Sequence, residues 1–242
     1  MSLRKSKQND VTKPGKAFGE NIKCTLVGDE RVGKTSMLLA YQTDTYPSQY
    51  VATTLDTYSK SVTYNGKCIN LQLYDIGGKE KLENFKGNEN ERIGTDIFLL
   101  CFAIDDRESF NNAVSKWYSQ VHAYWLSTVG SEYQSKSRNT LKARDSTGEK
   151  YEPVTILVGC KSDKSVLREI RKHRPSKRKD PRQSLENSIV TSKEAIEKAS
   201  KIPSCFYIEC CARTGAGIKD IFTKAIHEVL QRKNKSSIKR YV

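Results

Sequence analysis

No stretch of this sequence is apolar for long. The longest unbroken apolar run, Ile97 to Ile104, is eight residues. A helix needs roughly 20 to cross a bilayer, so a membrane span is excluded. Acids are scarce beside bases: Asp plus Glu number 28 against 42 Lys plus Arg, a net charge of +14 in 242 residues. Only three His occur, at 122, 173 and 227, and each reads as a surface or interface residue rather than a catalytic base. Cysteine is present but in odd number: seven, with no C-x-x-C pair. That argues against zinc and against a disulfide framework. Cys24, Cys101 and Cys205 lie in apolar runs and read as small buried hydrophobes of a reducing compartment. The N-terminus lacks an apolar core for a secretory signal, and Ser2 rather than Gly follows Met1, so neither export nor myristoylation is expected. Hydrophobic residues are only 36% and mean hydropathy is -0.66. Twelve Tyr, seven Phe and two Trp nevertheless argue against disorder.

The positive charge is concentrated. Residues 1–19 form a basic N-terminal tail, and residues 232–242 form a basic C-terminal one without an acid. Lys164 to Arg182 carries nine Lys or Arg against Glu169 and Asp180. The body between is balanced. These runs read either as solvated loops, as contacts for an anionic membrane, or as a nuclear import signal. They hold almost no aromatics for base stacking, so there is no strong nucleic-acid signal. The expected location is cytoplasmic, with peripheral membrane or nuclear placement as further readings. A monomer is expected.

Apolar periodicity outlines an α/β fold. Ile22 to Val27 suits a buried strand, and Lys34 to Tyr41 a helix. Thr54 to Tyr64 and Lys67 to Ile76 are strands joined by Asn65-Gly66, the strongest short hairpin signal. Ile69, Leu71 and Leu73 alternate with Asn70, Gln72 and Tyr74, which predicts one wet face. Ile97 to Ile104 reads as a central parallel strand. Asp106 to Leu126 reads as a helix with Phe110, Val114, Trp117, Val121 and Trp125 on its buried stripe. Val154 to Gly159 and Cys205 to Cys210 are further strands. Thr191 to Glu194 is a capping box opening a helix to about Ser200, and Ile218 to Leu230 is a last helix. Two segments, about 127–150 and 164–189, read as surface insertions. Strands alternating with helices predict a mostly parallel sheet, helices on both faces, and one antiparallel edge.

Chemistry enters between the first strand and first helix. Gly28-Asp29-Glu30-Arg31-Val32-Gly33-Lys34-Thr35 is G-x-x-x-x-G-K-[ST] in its strand–loop–helix setting. Loop amides and the helix N-terminus face phosphates, Lys34 reaches the β and γ phosphates, and Thr35 supplies a hydroxyl to Mg²⁺. Phosphoryl chemistry also wants a carboxylate on the metal. Asp75, at a strand end before Ile76-Gly77-Gly78, meets that need.

These residues resemble a small GTPase of the Ras superfamily, over roughly Asn21 to Leu230. The resemblance implies a P-loop NTPase G domain, residues 20–231, with a six-stranded sheet. It implies GTP/GDP and Mg²⁺ as cofactors. Gly28, Arg31, Val32, Gly33, Lys34, Thr35 and Ser36 then form the phosphate loop. Thr53 matches the switch I threonine, so Thr35, Thr53 and Asp75 become the metal set. Gly78 would donate its N–H to the γ-phosphate, and Tyr46 would stack on the base edge. Cys160-Lys161-Ser162-Asp163 resembles the guanine motif N-K-x-D. Cys210-Cys211-Ala212-Arg213 resembles the last base-binding motif, giving Cys211, Ala212 and Arg213 as base contacts. The branch most resembled is Rho, through Tyr46-Pro-Ser-Gln-Tyr50-Val-Ala-Thr53, the Phe98 to Asp105 strand, and an insertion after the guanine motif. Effectors and exchange factors would then bind at switches I and II.

Four departures bear on activity. Glu30 stands where the loop usually has Gly and would obstruct the attacking water. Lys79 stands where the catalytic Gln is usual, and an ammonium has donors but no acceptor to orient water. Stimulated hydrolysis gains about 10⁵-fold in Ras-type proteins, and losing both positions should forfeit most of that. The expectation is a switch that hydrolyses GTP slowly, or a constitutively GTP-bound effector-binding module. Glu30 and Lys79, being opposite in charge, either pair across the γ-phosphate, or leave Lys79 to serve as a cis cation, or have drifted independently. Cys160 replaces the usual Asn, and no prenylation Cys follows Cys211, so no prenyl anchor is expected.

Overall fold

The computed structural model describes residues 19–46, 53, 55–79, 95–131, 152–165 and 189–238. Six strands form one sheet: β1 (Glu20–Gly28), β2 (Leu55–Tyr64), β3 (Lys67–Ile76), β4 (Ile97–Ala103), β5 (Val154–Cys160) and β6 (Cys205–Glu209). Their order is β2-β3-β1-β4-β5-β6. Only β2 and β3 pair antiparallel; β3, β1, β4, β5 and β6 run parallel. The α/β fold class read from the sequence is therefore observed, edge hairpin included.

The hairpin forms for the reason its dipeptide suggested. Asn65 (φ 48) and Gly66 (φ 75) both take left-handed backbone, which the twist-matched two-residue turn demands. Every residue of β4 and β5 is buried, because helices cover both faces of these central strands. β3 departs from its expected wet face. Tyr74 is buried beside Phe98 and Leu100, since both sides of the strand are covered by the time it reaches the site end.

The helices are α1 (Lys34–Thr43), α2 (Arg107–Asn112), a π turn (Ala113–Trp117), α3 (Tyr118–Ser131), α4 (Ser192–Ala199) and α5 (Ile218–Ile238). One face of the sheet packs on α1 and α5 through Met37, Leu38, Phe222 and Val229. Tyr41 stacks on Phe222 with ring centroids 3.8 Å apart. The other face packs on α2, the π turn, α3 and α4 through Phe110, Trp117, Val121 and Ala195.

The single helix expected over 106–126 is interrupted by the π turn, whose wider winding rotates the stripe. Ala113 takes a core position, whereas Val114 and Trp125 are only half-buried. Thr191 caps α4 by accepting from Glu194 N at 3.2 Å, as the capping box implied. The Glu194 carboxylate turns instead to Arg107, forming bonds of 2.5 and 3.1 Å. α3 continues to Ser131, into the first expected insertion; residues 132–150, and 166–188 of the second, lie outside the described residues. α5 runs to Ile238, so part of the expected C-terminal tail is helical. Its Arg232 binds Glu152 O, and Lys233 binds Glu20 at 2.9 Å. Most of the N-terminal tail, residues 1–18, also lies outside the described residues.

The Phe222 ring fills the space between α5 and Tyr41 with no solvent contact. Phe222→Ala is expected to cost about 3–5 kcal/mol of folding stability, read by urea denaturation.

Candidate functional site

β1 ends at Gly28 and α1 begins at Lys34, so one short loop carries the chain from the sheet into the helix. Gly33 is the N-cap, in left-handed backbone (φ 112), and no side chain caps the helix. The first-turn amides therefore keep their capacity for an external acceptor, and the helix dipole favours an anion there. Lys34 is only 6% exposed. Its Nζ donates to Gly28 O at 2.7 Å and to Asp29 O at 2.8 Å, so the loop wraps its own cation. Burial lowers the Lys34 pKa; Cys101 and Asp75 act the other way.

Asp29 is turned away from the opening and held from behind. Trp117 Nε1 donates to Oδ1 and Asn112 Nδ2 to Oδ2, each at 2.7 Å. The π turn places Trp117 for this bond while keeping its ring in the core. Sequence reasoning assigned Trp117 to the core correctly and missed the bond, because periodicity says nothing about which edge of an indole finds a partner.

Asp75 is fully buried at the end of β3. Thr35 Oγ1 donates to Asp75 Oδ2 at 2.5 Å. Thr35's proton is thereby used, so Thr53 must be the donor in the 2.8 Å contact between the two hydroxyls. The three residues expected to hold a metal thus meet in one relay. Asp75 Oδ1 is buried and has no hydrogen-bond partner. Burial raises the Asp75 pKa; the Thr35 bond and Lys34 oppose it. A cation beside Oδ1 would remove that cost. One carboxylate and two hydroxyls, with the rest of the shell left to water and phosphate, suit Mg²⁺. Among the described residues no cluster of three or more His, Cys, Asp or Glu forms another metal site.

These groups open onto a cavity of about 420 Å³, within the range of small-molecule sites. Glu30, Arg31, Gly33, Lys34, Thr35, Ser36, Thr53 and Gly78 line it. Tyr46, Cys160, Lys161, Asp163, Cys211, Ala212 and Arg213 line it as well. The Val32 side chain is 1% exposed and packs in the core, so Val32 can meet a ligand only through its backbone, as the loop amides are expected to do. Gly28 and Asp75 stand behind the lining, reaching it through Lys34 and Thr35. Asp105, not foreseen, also lines the cavity. Lys161 Nζ lies 3.9 Å from its Oδ1, an atom with no hydrogen bond. Lys161 itself is in left-handed backbone (φ 61) where β5 gives way to the loop.

A family model described as the Ras family matches residues 23–231. The chain belongs to the Ras family. It is thus a small GTP-binding switch protein of P-loop fold. Against that membership the loop and switch chemistry of this Ras-family chain is unusual. Glu30 and Lys79 form an ion pair, with Nζ 3.5 Å from Oε1 and Lys79 80% exposed. Gly78 presses on the same loop, since a Cβ built on it would fall 2.2 Å from Glu30 N. Any side chain at 78 would push the strand-end motif off the loop. An ion pair so exposed contributes at most about 1 kcal/mol, which makes it easy to exchange for another partner.

Trp117→Phe deletes the N–H and leaves a smaller ring in the core. It is expected to cost at least about 1–3 kcal/mol, through the unpaired Asp29 oxygen and the space the indole vacates, and to speed release of a fluorescent guanine nucleotide. Unchanged release with lowered thermal stability would assign Trp117 to packing alone.

Proposed function

We propose that the cavity binds GTP and GDP with Mg²⁺, and that the protein is a Rho-type switch hydrolysing GTP slowly. The observation that carries this reading is the relay from Thr53 through Thr35 to Asp75, with Asp75 Oδ1 unpartnered beside it. The Thr35 hydroxyl meets a buried carboxylate, and a second hydroxyl from another segment, Thr53, meets Thr35. That arrangement costs desolvation energy with no return in stability unless a cation completes it.

Each residue then has a defined task. Lys34 exchanges its carbonyl partners for β and γ phosphate oxygens. The uncapped amides at Gly33 to Thr35 hold the phosphates. Thr35, Thr53 and Asp75 hold Mg²⁺, which neutralises phosphate charge. Thr53 and Gly78 report the γ-phosphate to switches I and II, where effectors and exchange factors bind. Asp163 accepts from the guanine ring donors, Lys161 packs along the base, and Tyr46 covers its edge.

Slow hydrolysis follows from the Glu30–Lys79 pair. Lys79 has no acceptor to orient water, and Glu30 brings negative charge to a site already crowded with phosphate. The pair favours the second reading, a module that stays GTP-bound and is controlled by its abundance. A cytoplasmic location, with electrostatic membrane contact through the basic segments, belongs to the same proposal. Among the described residues no helix is long and apolar enough to cross a membrane.

The test is the nucleotide released on denaturing the purified protein, resolved by ion exchange. Predominant GTP supports the constitutive module; predominant GDP supports the slow enzyme. An empty protein that also refuses guanine nucleotide with Mg²⁺ would overturn both. Glu30→Gly and Lys79→Gln, singly and together, are expected to couple by at least about 0.5 kcal/mol in nucleotide off-rate. Additive effects would remove the pair from the mechanism. Asp75→Asn is expected to leave the nucleotide-free protein as stable or more stable, and to abolish the Mg²⁺ dependence of nucleotide affinity.

A further inference from the structure

Cys160 and Cys210 end adjacent parallel strands at the floor of the cavity. β5 and β6 are in register with Gly159 opposite Glu209. One residue on, Cys210 N donates to Gly159 O at 2.8 Å, and Ser162 N donates to Cys210 O at 3.0 Å. This sets the two cysteines side by side where the ladder stops. Neighbouring strands lie about 4.8 Å apart, inside the roughly 4.4–6.8 Å Cα separation that a disulfide bridges. The two thiols interact, and the Cys101 thiol of β4 acts on Cys160 as well. Cys160 and Cys210 line the cavity, and Cys101 does not. Cys160 also lies under the phosphate loop, 3.4 Å from where a Cβ on Gly33 would be.

The two thiols are not equivalent. The Cys101 and Cys210 thiols interact with Cys160, and Lys34 and Lys161 stand near it. Together these hold its thiol well below the usual range against the cost of burial. Cys210 Sγ donates to Met37 Sδ at 3.5 Å, and its contact with Cys160 and its burial push it above its own usual range. A nucleophilic sulfur and a proton-bearing partner are the two parts of an oxidisable dithiol.

We propose that Cys160 and Cys210 are a peroxide-sensitive thiol pair in the floor of the base pocket, and that their disulfide expels the nucleotide. The second half of this rests on the guanine-binding reading above. The Cys160 thiolate attacks one peroxide oxygen, the O–O bond breaks, and the departing hydroxide leaves as water with the Cys160 proton. The sulfenic acid then meets the Cys210 thiol; the S–S bond forms, the S–O bond breaks, and a second water leaves. Two thiols are oxidised and one peroxide is reduced to two waters.

Closing a bond of about 2.05 Å pulls both strand ends together. Lys161 and Asp163 follow Cys160. Cys211, whose thiol contacts Asp163 Oδ1 at 3.4 Å, follows Cys210. The base-recognising groups therefore move as one. A bound nucleotide covers the same floor and protects it.

The test uses the full chain, freed of nucleotide, treated with hydrogen peroxide, and then alkylated and digested with trypsin. The proposal expects a disulfide joining the peptide that ends at Lys161 to the one running from Ile202 to Arg213, assigned to Cys210 by fragmentation. It expects guanine-nucleotide affinity to fall roughly tenfold or more, dithiothreitol to restore it, and prior loading with GTP to slow the reaction. Cys210→Ser should stop at a Cys160 sulfenic acid that dimedone traps. Cys160→Asn should form no such link. Each variant is compared with its own untreated sample. Cys160 remaining fully alkylatable after peroxide would overturn the proposal, as would an equal loss of affinity in peroxide-treated Cys160→Asn. If untreated protein binds no guanine nucleotide, the functional reading fails while the disulfide map still tests the thiol pair.

Discussion

A buried ammonium organises the mouth of this protein. Lys34 is nearly inaccessible to water, and a charge so placed must be paid for by polar partners or not carried at all. The partners are carbonyls of the same loop, at Gly28 and Asp29. The loop can offer them only because its backbone curls around the side chain, which needs the left-handed turns at Arg31 (φ 59) and Gly33 (φ 112). It must also be held from outside. Asn112 and Trp117 do this by gripping the Asp29 carboxylate. The π turn in the helix after β4 is therefore part of the phosphate loop's support.

The same tension between burial and charge recurs at Asp75. Its carboxylate is fully buried, one oxygen is bonded by Thr35 and the other is bare. Lys34 offsets some of the cost, as its influence on the Asp75 pKa shows. A cation and a lysine wrapped in carbonyls are two answers to one problem: groups that bind polyphosphate are expensive to keep buried without it. Affinity for a charged ligand is stored here as unsatisfied polarity.

The loop tip beside Gly78 has a different character. Glu30 and Lys79 are at the surface, their pairing is weak, and nothing in the fold depends on it. What cannot be exchanged lies just behind them, where Gly78 packs against the loop backbone with no room for a side chain. The packing of loop against strand end thus rests on buried backbone, while the charged pair beside it is exposed.

Much of this was legible in the residues alone. Strand and helix type followed from periodicity, the hairpin from Asn65-Gly66, and the strand–loop–helix at Gly28 to Thr35 from spacing. These are local properties, decided by one segment's own backbone and sidedness. Tertiary structure decided what depends on partners from distant segments. It turned Asp29 inward to Trp117, drew Thr53 onto Thr35, and brought Glu30 to Lys79. It also gathered Cys101, Cys160 and Cys210, which lie far apart in the chain, at one end of the sheet. Cysteines scattered through a sequence reveal only their number; the parallel register of β4, β5 and β6 makes neighbours of them.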